Sequence, residues 1–214
     1  VGFFMEDGKL CPVNRPAFCF FPTKEVTGLN FIIHAPFLLT DSREGIRAGV
    51  KHNDDMIQLL AVLSADAIEY LRDIGMEKKI RLIDDGIVSI IPVDEGVFSS
   101  KTDRSKVSFL PFYNEIKDKF EEADLLPSLD GYVSCENAYW ASVPQLPQLF
   151  SNKQLGWLVE NDKACWVFAS LARDEVQRNK KALFSYIDSI VRTNINEDIV
   201  LTGRSRDFFV REGV

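Results

Sequence analysis

Two apolar segments, each ended by a proline, constrain the fold of this 214-residue chain more than any other feature. Residues 17–21 (Ala-Phe-Cys-Phe-Phe) are apolar without interruption and rich in phenylalanine, the pattern of a strand buried on both faces. Pro22, which has no N–H to offer a ladder, closes it. After a turn at Thr27-Gly28, residues 29–35 read as the next strand, with Phe31 and Ile33 on one face, Ile32 and His34 on the other, and Pro36 breaking it. The two strands are expected to be neighbours in one sheet. A small polar turn follows and carries Arg43. A guanidinium held in such a turn can reach out of its own domain, and its planar fork of donors fits the oxygens of a terminal phosphate. The other reading is a surface arginine capping or pairing locally.

Ahead of these strands, residues 1–5 and 10–13 flank Glu6-Asp7-Gly8-Lys9 as a hairpin. Behind them, Asn53 is placed to cap a helix, with Asp54 and Asp55 in its first turn. Met56, Leu59, Leu60, Leu63, Ala67 and Leu71 recur at helical spacing and predict the face that lies on the sheet, and Gly75 ends the helix. Residues 80–92 fit either a strand, through Ile87, Val88, Ile90 and Ile91, or a short helix and turn. The polar stretch 95–108 is the expected domain boundary. Pro111 then suits the first turn of a helix to about Ala123, with Phe112, Ile116 and Phe120 inward. Asp130-Gly131 is the turn of a second hairpin, Ser151 and Asn152 cap a short helix, and Trp166-Val167-Phe168 reads as a strand. Asp174 opens the longest later helix, with Val176, Leu183, Ile187 and Ile190 inward, and no repeat or low-complexity tract is present.

Composition excludes several classes. At 46% hydrophobic and 27% charged the chain is that of a globular protein, so disorder is not expected. A net charge of −7 argues against a nucleic-acid face, and the basic runs at 78–81 and 178–181 are too short to form one. No apolar stretch approaches the roughly 20 residues that span a bilayer, and no leader opens the chain, so a cytoplasmic setting is the default. Cys11, Cys19, Cys135 and Cys165 are widely spaced, and His34 and His52 are the sole histidines. Buried or half-buried thiols fit this better than zinc or a Cys-His nucleophile. The adjacent carboxylates Asp84-Asp85 and Glu121-Glu122 do not converge on one atom as acid-base pairs must.

Residues 18–46 resemble the region that follows the ATP-binding domain in sacsin-type members of the GHKL superfamily. The matching elements are Cys19 to Pro22, Thr27-Gly28-Leu29, the apolar segment from Phe31, and Phe37-Leu38-Leu39-Thr40-Asp41-Ser42-Arg43. A more distant similarity is to the middle domain of the ninety-kilodalton heat-shock chaperones, where a Leu-Ser-Arg-Glu turn supplies an arginine to the nucleotide's γ-phosphate; Ser42-Arg43-Glu44 stands in that place. Those chaperones carry a glutamine one turn later, where this chain has Arg47. Residues 125–146, with Gln154-Leu155 and Trp166-Val167-Phe168, resemble the next segment of bacterial sacsin-like ATPases.

This resemblance implies an α+β chain. A middle-domain-like module over 1–98, built on a left-handed βαβ unit like ribosomal-protein domain 2, would precede a second, smaller α/β module over 106–214. It also implies that Arg43 contacts the γ-phosphate in trans, with Ser42 and Lys24 as secondary cofactor contacts. The chain carries no asparagine-bearing magnesium helix, Asp-x-Gly-x-Gly adenine loop, glycine-rich lid or phosphate loop. It also begins at Val1-Gly2-Phe3-Phe4 in what reads as mid-strand. The expectation is therefore a non-catalytic fragment whose parent binds ATP and magnesium upstream, and whose partners are that ATPase domain and protein clients. The alternatives are a nucleotide-independent interaction module, with Tyr139, Trp140 and Trp157 near Pro144 and Pro147 as a peptide surface, and a small independent hydrolase.

Overall fold

The computed structural model describes residues 1–99, 106–139 and 146–167. The helix expected from Asp174, the basic run at 178–181, and Trp140, Pro144 and Phe168 lie outside them. The chain divides into two compact units, Val1–Lys119 and Phe120–Val214. Helices combine with small two-stranded sheets in an α+β arrangement.

In the first unit, β1 (Phe4–Glu6) and β2 (Lys9–Cys11) form the expected hairpin. It reverses through Asp7 and Gly8 at φ of 50° and 78°, the paired positive values of a tight two-residue turn. The centre of the unit is the run 27–37, which bends at Asn30 and Phe31 and meets its neighbours through single bridges at Ile32 and His34, not as the continuous strand expected over 29–35. Thr27, Leu29, Phe31, Ile33, Ala35 and Phe37 are buried, and the residues between them are half-buried or exposed. Gly28 enters this run at φ 75°, where a Cβ would stand 2.9 Å from Val97 Cγ1, so backbone and packing both require glycine. Ile32 exchanges two backbone hydrogen bonds with Gly2, at 2.8 and 2.9 Å. On the other edge the Phe18 N–H donates to the Ile33 carbonyl at 3.0 Å and the Ala35 N–H to the Phe18 carbonyl at 3.1 Å. The two predicted apolar segments are thus neighbours, joined through a parallel bridge.

Residues 17–21 are not a strand buried on both faces. Ala17 and Cys19 are buried, but Phe20 and Phe21 are each 78% exposed. The chain folds back here, β3 (Phe18–Cys19) against β4 (Phe21–Pro22), around Phe20 at φ 61°. So tight a reversal takes both rings out of the inward-facing register.

The long helix α1 (Lys51–Lys78) starts earlier than expected, with Val50 as its cap residue and no side-chain cap. Asn53 is not the cap but a fully buried residue of the first turn. Its amide nitrogen donates to the carbonyls of Leu38 and Arg47, both at 2.8 Å, and its amide oxygen accepts the Leu38 N–H at 2.8 Å. The buried stripe is Ile57, Leu60, Ala61, Ser64, Ala65 and Ile68. The predicted face was rotated relative to it: Leu59 and Leu63 are 60% and 50% exposed. Both stripes are apolar, so periodicity alone could not choose, whereas burying Asn53 fixes which side turns inward. Gly75 does not end the helix, which runs on to Lys78. Lys79 is left-handed at φ 56°, and the N–H groups of Ile80 and Lys79 return to the carbonyls of Gly75 and Met76 at 2.8 and 3.2 Å, a Schellman closure. A Cβ on residue 75 would stand 2.6 Å from the Ile80 carbonyl oxygen.

Residues 80–92 hold a 3-10 turn (Asp85–Ser89) rather than a strand, followed by the short α2 (Gly96–Ser99). In α3 (Leu110–Glu122), Phe112, Ile116 and Phe120 are buried as their spacing predicted. The Phe112 ring lies 6.0 Å from that of Phe31. Lys119 pairs with Asp66 and Glu69 at 2.8 and 3.3 Å, and the hydrogen bond it donates to Asp66 leads in holding its ammonium above the usual lysine range. These contacts bind residues 109–119 to the first unit, so the chain divides inside α3, later than the expected boundary at 95–108.

In the second unit, β5 (Leu126–Ser128) and β6 (Gly131–Val133) form the hairpin expected at Asp130-Gly131. β7 (Ala138–Tyr139) pairs in parallel with β8 (Cys165–Trp166), and α4 (Leu146–Leu149) and α5 (Asn152–Val159) lie between them in sequence. Ser151 opens α5 with a full capping box closed by Gln154. Tyr139, Leu155, Ala164 and Trp166 form the small core. Among the described residues of the first unit, paired strands are antiparallel hairpins, and a helix-spanned parallel pair occurs in the second unit.

Asn53→Ala removes the partner of three backbone groups at once. It should lower the unfolding free energy by about 3 kcal/mol, read as a drop in the urea midpoint at unchanged slope. Asn53→Asp should cost at least as much, because a carboxylate would face the two carbonyls that the amide now serves.

Candidate functional site

Arg43 lies at the tip of a loop closed at its base by the Leu39–Ile46 bridge. Thr40 organises the loop. Its N–H donates to the Gly45 carbonyl at 2.9 Å, its hydroxyl accepts the Gly45 N–H at 3.3 Å, and its carbonyl accepts the Arg43 N–H at 2.8 Å. These bonds hold Arg43 at φ 58°, a left-handed conformation uncommon outside glycine. The loop is braced from the side by the segment after β4. The Lys24 N–H donates to the Glu44 carbonyl at 2.6 Å, and the Glu25 carboxylate accepts the Ile46 N–H at 3.2 Å.

The two loops, 18–23 and 39–43, enclose a hollow of about 590 Å³. Phe20, Phe21, Pro22 and Leu39 give it apolar walls, and Thr40, Asp41 and Arg43 its polar side. Asp41 pairs with Arg47, so the position where the resembled chaperones carry glutamine here holds a cation that neutralises a neighbour. The Arg43 guanidinium is exposed and has no hydrogen bond or ion pair among the described residues. It can therefore meet an oxyanion without first breaking an internal pair.

The other sequence-predicted contacts do not converge with it. Ser42 is exposed, its hydroxyl 3.2 Å from that of Thr40, and it does not line the hollow. Lys24 pairs with Glu44 and faces a separate depression of about 240 Å³ shared with Glu25 and Lys106. Arg43 is the one member of the predicted set placed on the hollow. The residues that sequence reasoning missed are Phe20 and Phe21. An uninterrupted apolar run gives no sign of a reversal in its middle, least of all one through a left-handed phenylalanine.

His34 holds that reversal from outside. Its Nε2 accepts the Phe20 N–H at 3.1 Å, so the ring proton of the neutral imidazole sits on Nδ1, and the two rings meet edge-on at 6.2 Å. Burial marks three of the four thiols. Cys19 is buried and donates to the Phe37 carbonyl at 3.3 Å, and burial pushes the Cys135 and Cys165 thiols above the usual range, with nearby carboxylates adding to the effect. No cluster of metal-ligating side chains occurs among the described residues, and none of their helices is long and apolar enough to cross a membrane. In the aromatic surface considered for peptides, Tyr139 is core and Trp157 is 65% exposed, with Lys153 Nζ 5.3 Å above its ring. Comparison with protein-family models, with characterised proteins and with solved structures finds no match to this chain.

His34→Ala deletes the acceptor of the Phe20 N–H and should loosen the 18–22 reversal by about 1 kcal/mol. Limited chymotrypsin digestion checks this: cleavage after Phe20 should be about fivefold faster in the variant, as the opening equilibrium shifts by that amount, while the bond before Pro22 stays resistant in both.

Proposed function

We propose that this chain is the non-catalytic, nucleotide-sensing part of a sacsin-like GHKL ATPase of the cytoplasm, in which Arg43 contacts the γ-phosphate of ATP bound to an upstream domain. The observation that carries this reading is the exposed guanidinium at the tip of a braced turn, without a partner among the described residues, in the Ser42-Arg43-Glu44 context. A charge supplied in this way acts by electrostatics and position: the braced loop fixes where the fork sits, and the fork meets negative charge as it develops on the transferred group. Ser42 and Lys24 have at most an indirect part, since one hydrogen-bonds within the loop and the other is paired with Glu44. Adenine and magnesium would be held outside this chain, whose sequence carries none of the motifs for them. The finer fold assignment belongs to the same proposal: a middle-domain-like βαβ module followed by the second module of sacsin-like ATPases. So does coupling to a protein client.

In the protein that carries the upstream domain, Arg43→Ala should lower kcat for ATP hydrolysis far more than ATP affinity, by up to about 10³-fold. Arg43→Lys should rescue little, because an ammonium lacks the bidentate fork. Unchanged turnover in a well-folded Arg43→Ala protein would refute the role. The present chain alone should neither hydrolyse ATP nor bind it tightly; micromolar binding in calorimetry with magnesium would contradict that.

A second reading, a nucleotide-independent interaction module, is favoured by one specific observation: Phe20 and Phe21 stand exposed beside Arg43.

A further inference from the structure

The hollow between the two loops unites three features that no structural need explains. Phe20 and Phe21 expose most of their rings on one wall, although large apolar side chains lower the free energy when taken out of water. Arg43 on the other side is a cation without a partner among the described residues. Phe20 and Arg43 also share an uncommon backbone state. Among the described residues, the non-glycine positions with positive φ are Asp7, Phe20, Arg43, Lys79 and Glu160; Asp7 lies in a hairpin turn, and Lys79 and Glu160 close helices. Phe20 and Arg43 are left, and both line this hollow. Strain of order 1 kcal/mol or more at each persists where surrounding bonds over-determine it, here those from His34 and Thr40, and it presents both side chains to one space.

Charge decides what the space can take. Asp41 and Arg43 line it, and Arg47 neutralises Asp41 from outside, which leaves one uncompensated positive charge. That matches a single carboxylate. A planar carboxylate accepts two parallel donors from a guanidinium, and the aromatic wall beside it suits an apolar group attached to the same carbon as the anion. The volume of about 590 Å³ lies within the range of sites that bury a small ligand. We infer that the hollow formed by Phe20, Phe21, Leu39 and Arg43 is a binding site for the C-terminal carboxylate of a polypeptide ending in an aromatic or branched apolar residue. The inference goes beyond the phosphate reading and does not rest on it, because the site would work in this chain alone.

The test is an NMR titration of the ¹⁵N-labelled chain with the tetrapeptide acetyl-Gly-Gly-Leu-Phe, its C-terminal amide, N-acetylphenylalanine and inorganic phosphate. The free acid should bind saturably and move the amides of residues 19–23 and 39–43. The C-terminal amide should bind at least tenfold more weakly, inorganic phosphate more weakly still, and N-acetylphenylalanine more weakly than the tetrapeptide. Phe20→Ala and Arg43→Asn should each reduce affinity for the acid at least tenfold. Asparagine is chosen because it tolerates the left-handed backbone, so that variant keeps the loop intact. Equal binding of acid and amide, no saturable binding, shifts confined to other residues, unchanged affinity in Arg43→Asn, or N-acetylphenylalanine matching the tetrapeptide would overturn the proposal. Each of these results would leave the ATP-turnover test of Arg43 untouched, so the two ideas fail separately.

Discussion

One buried amide ties the first unit together. Asn53 lies in the first turn of α1, and its side chain serves Leu38 on one loop strand and Arg47 on the other. Those residues flank the loop that carries Arg43. The amide thus sets the rotation of a 28-residue helix and the spacing of the loop's two legs in a single interaction. An apolar residue of the same size could fill the space but could not do this, because the backbone groups it faced would lose their partners away from water. The position of the guanidinium is consequently a property of the helix packing as much as of the loop.

Local chemistry made part of this structure legible. The hairpin at Asp7-Gly8, the reversal at Asp130-Gly131, the capping box at Ser151 and the inward trio of α3 each announce themselves within a few residues, through turn chemistry, capping or a 3.6-residue period. The alternation of 29–35 was equally plain and shows in its burial, but the run bends at Asn30 and Phe31 and meets its neighbours through single bridges, so it is not the continuous strand expected. The failures came where two local solutions were both apolar or both polar. α1 carries two apolar stripes, and the choice between them was made by the distant partners of Asn53. The stretch 95–108 looked like a linker because it is polar, yet the aromatic residues that follow it pack back into the first unit through Phe112 and Phe31.

The candidate site was half legible. A charged residue in a small polar turn is visible in sequence, but alone it reads equally as a locally paired surface arginine, and it was the resemblance that pointed to Arg43. What the sequence hides is which charges are already spent. Lys24 and Arg47 are cations of the same region, and each is paired with a carboxylate, Lys24 with Glu44 of the neighbouring loop and Arg47 with Asp41 across its own loop. Sequence separation gives no hint of these pairs, and they are what singles out Arg43. The apolar half of the hollow was concealed for a different reason: phenylalanine in a run of phenylalanines reads as interior.

The left-handed backbone at positions 20 and 43 has a further consequence. At both, glycine would meet the conformation without steric cost, and the resulting gain would come to of order 1 kcal/mol, set against the greater entropy of a glycine in the unfolded chain. A chain designed only to fold would place glycine at each. Two exposed residues of this region are therefore also poorly suited to their own backbone. Substitutions that harden the protein against heat should concentrate at these two loops and erase the chemistry they present.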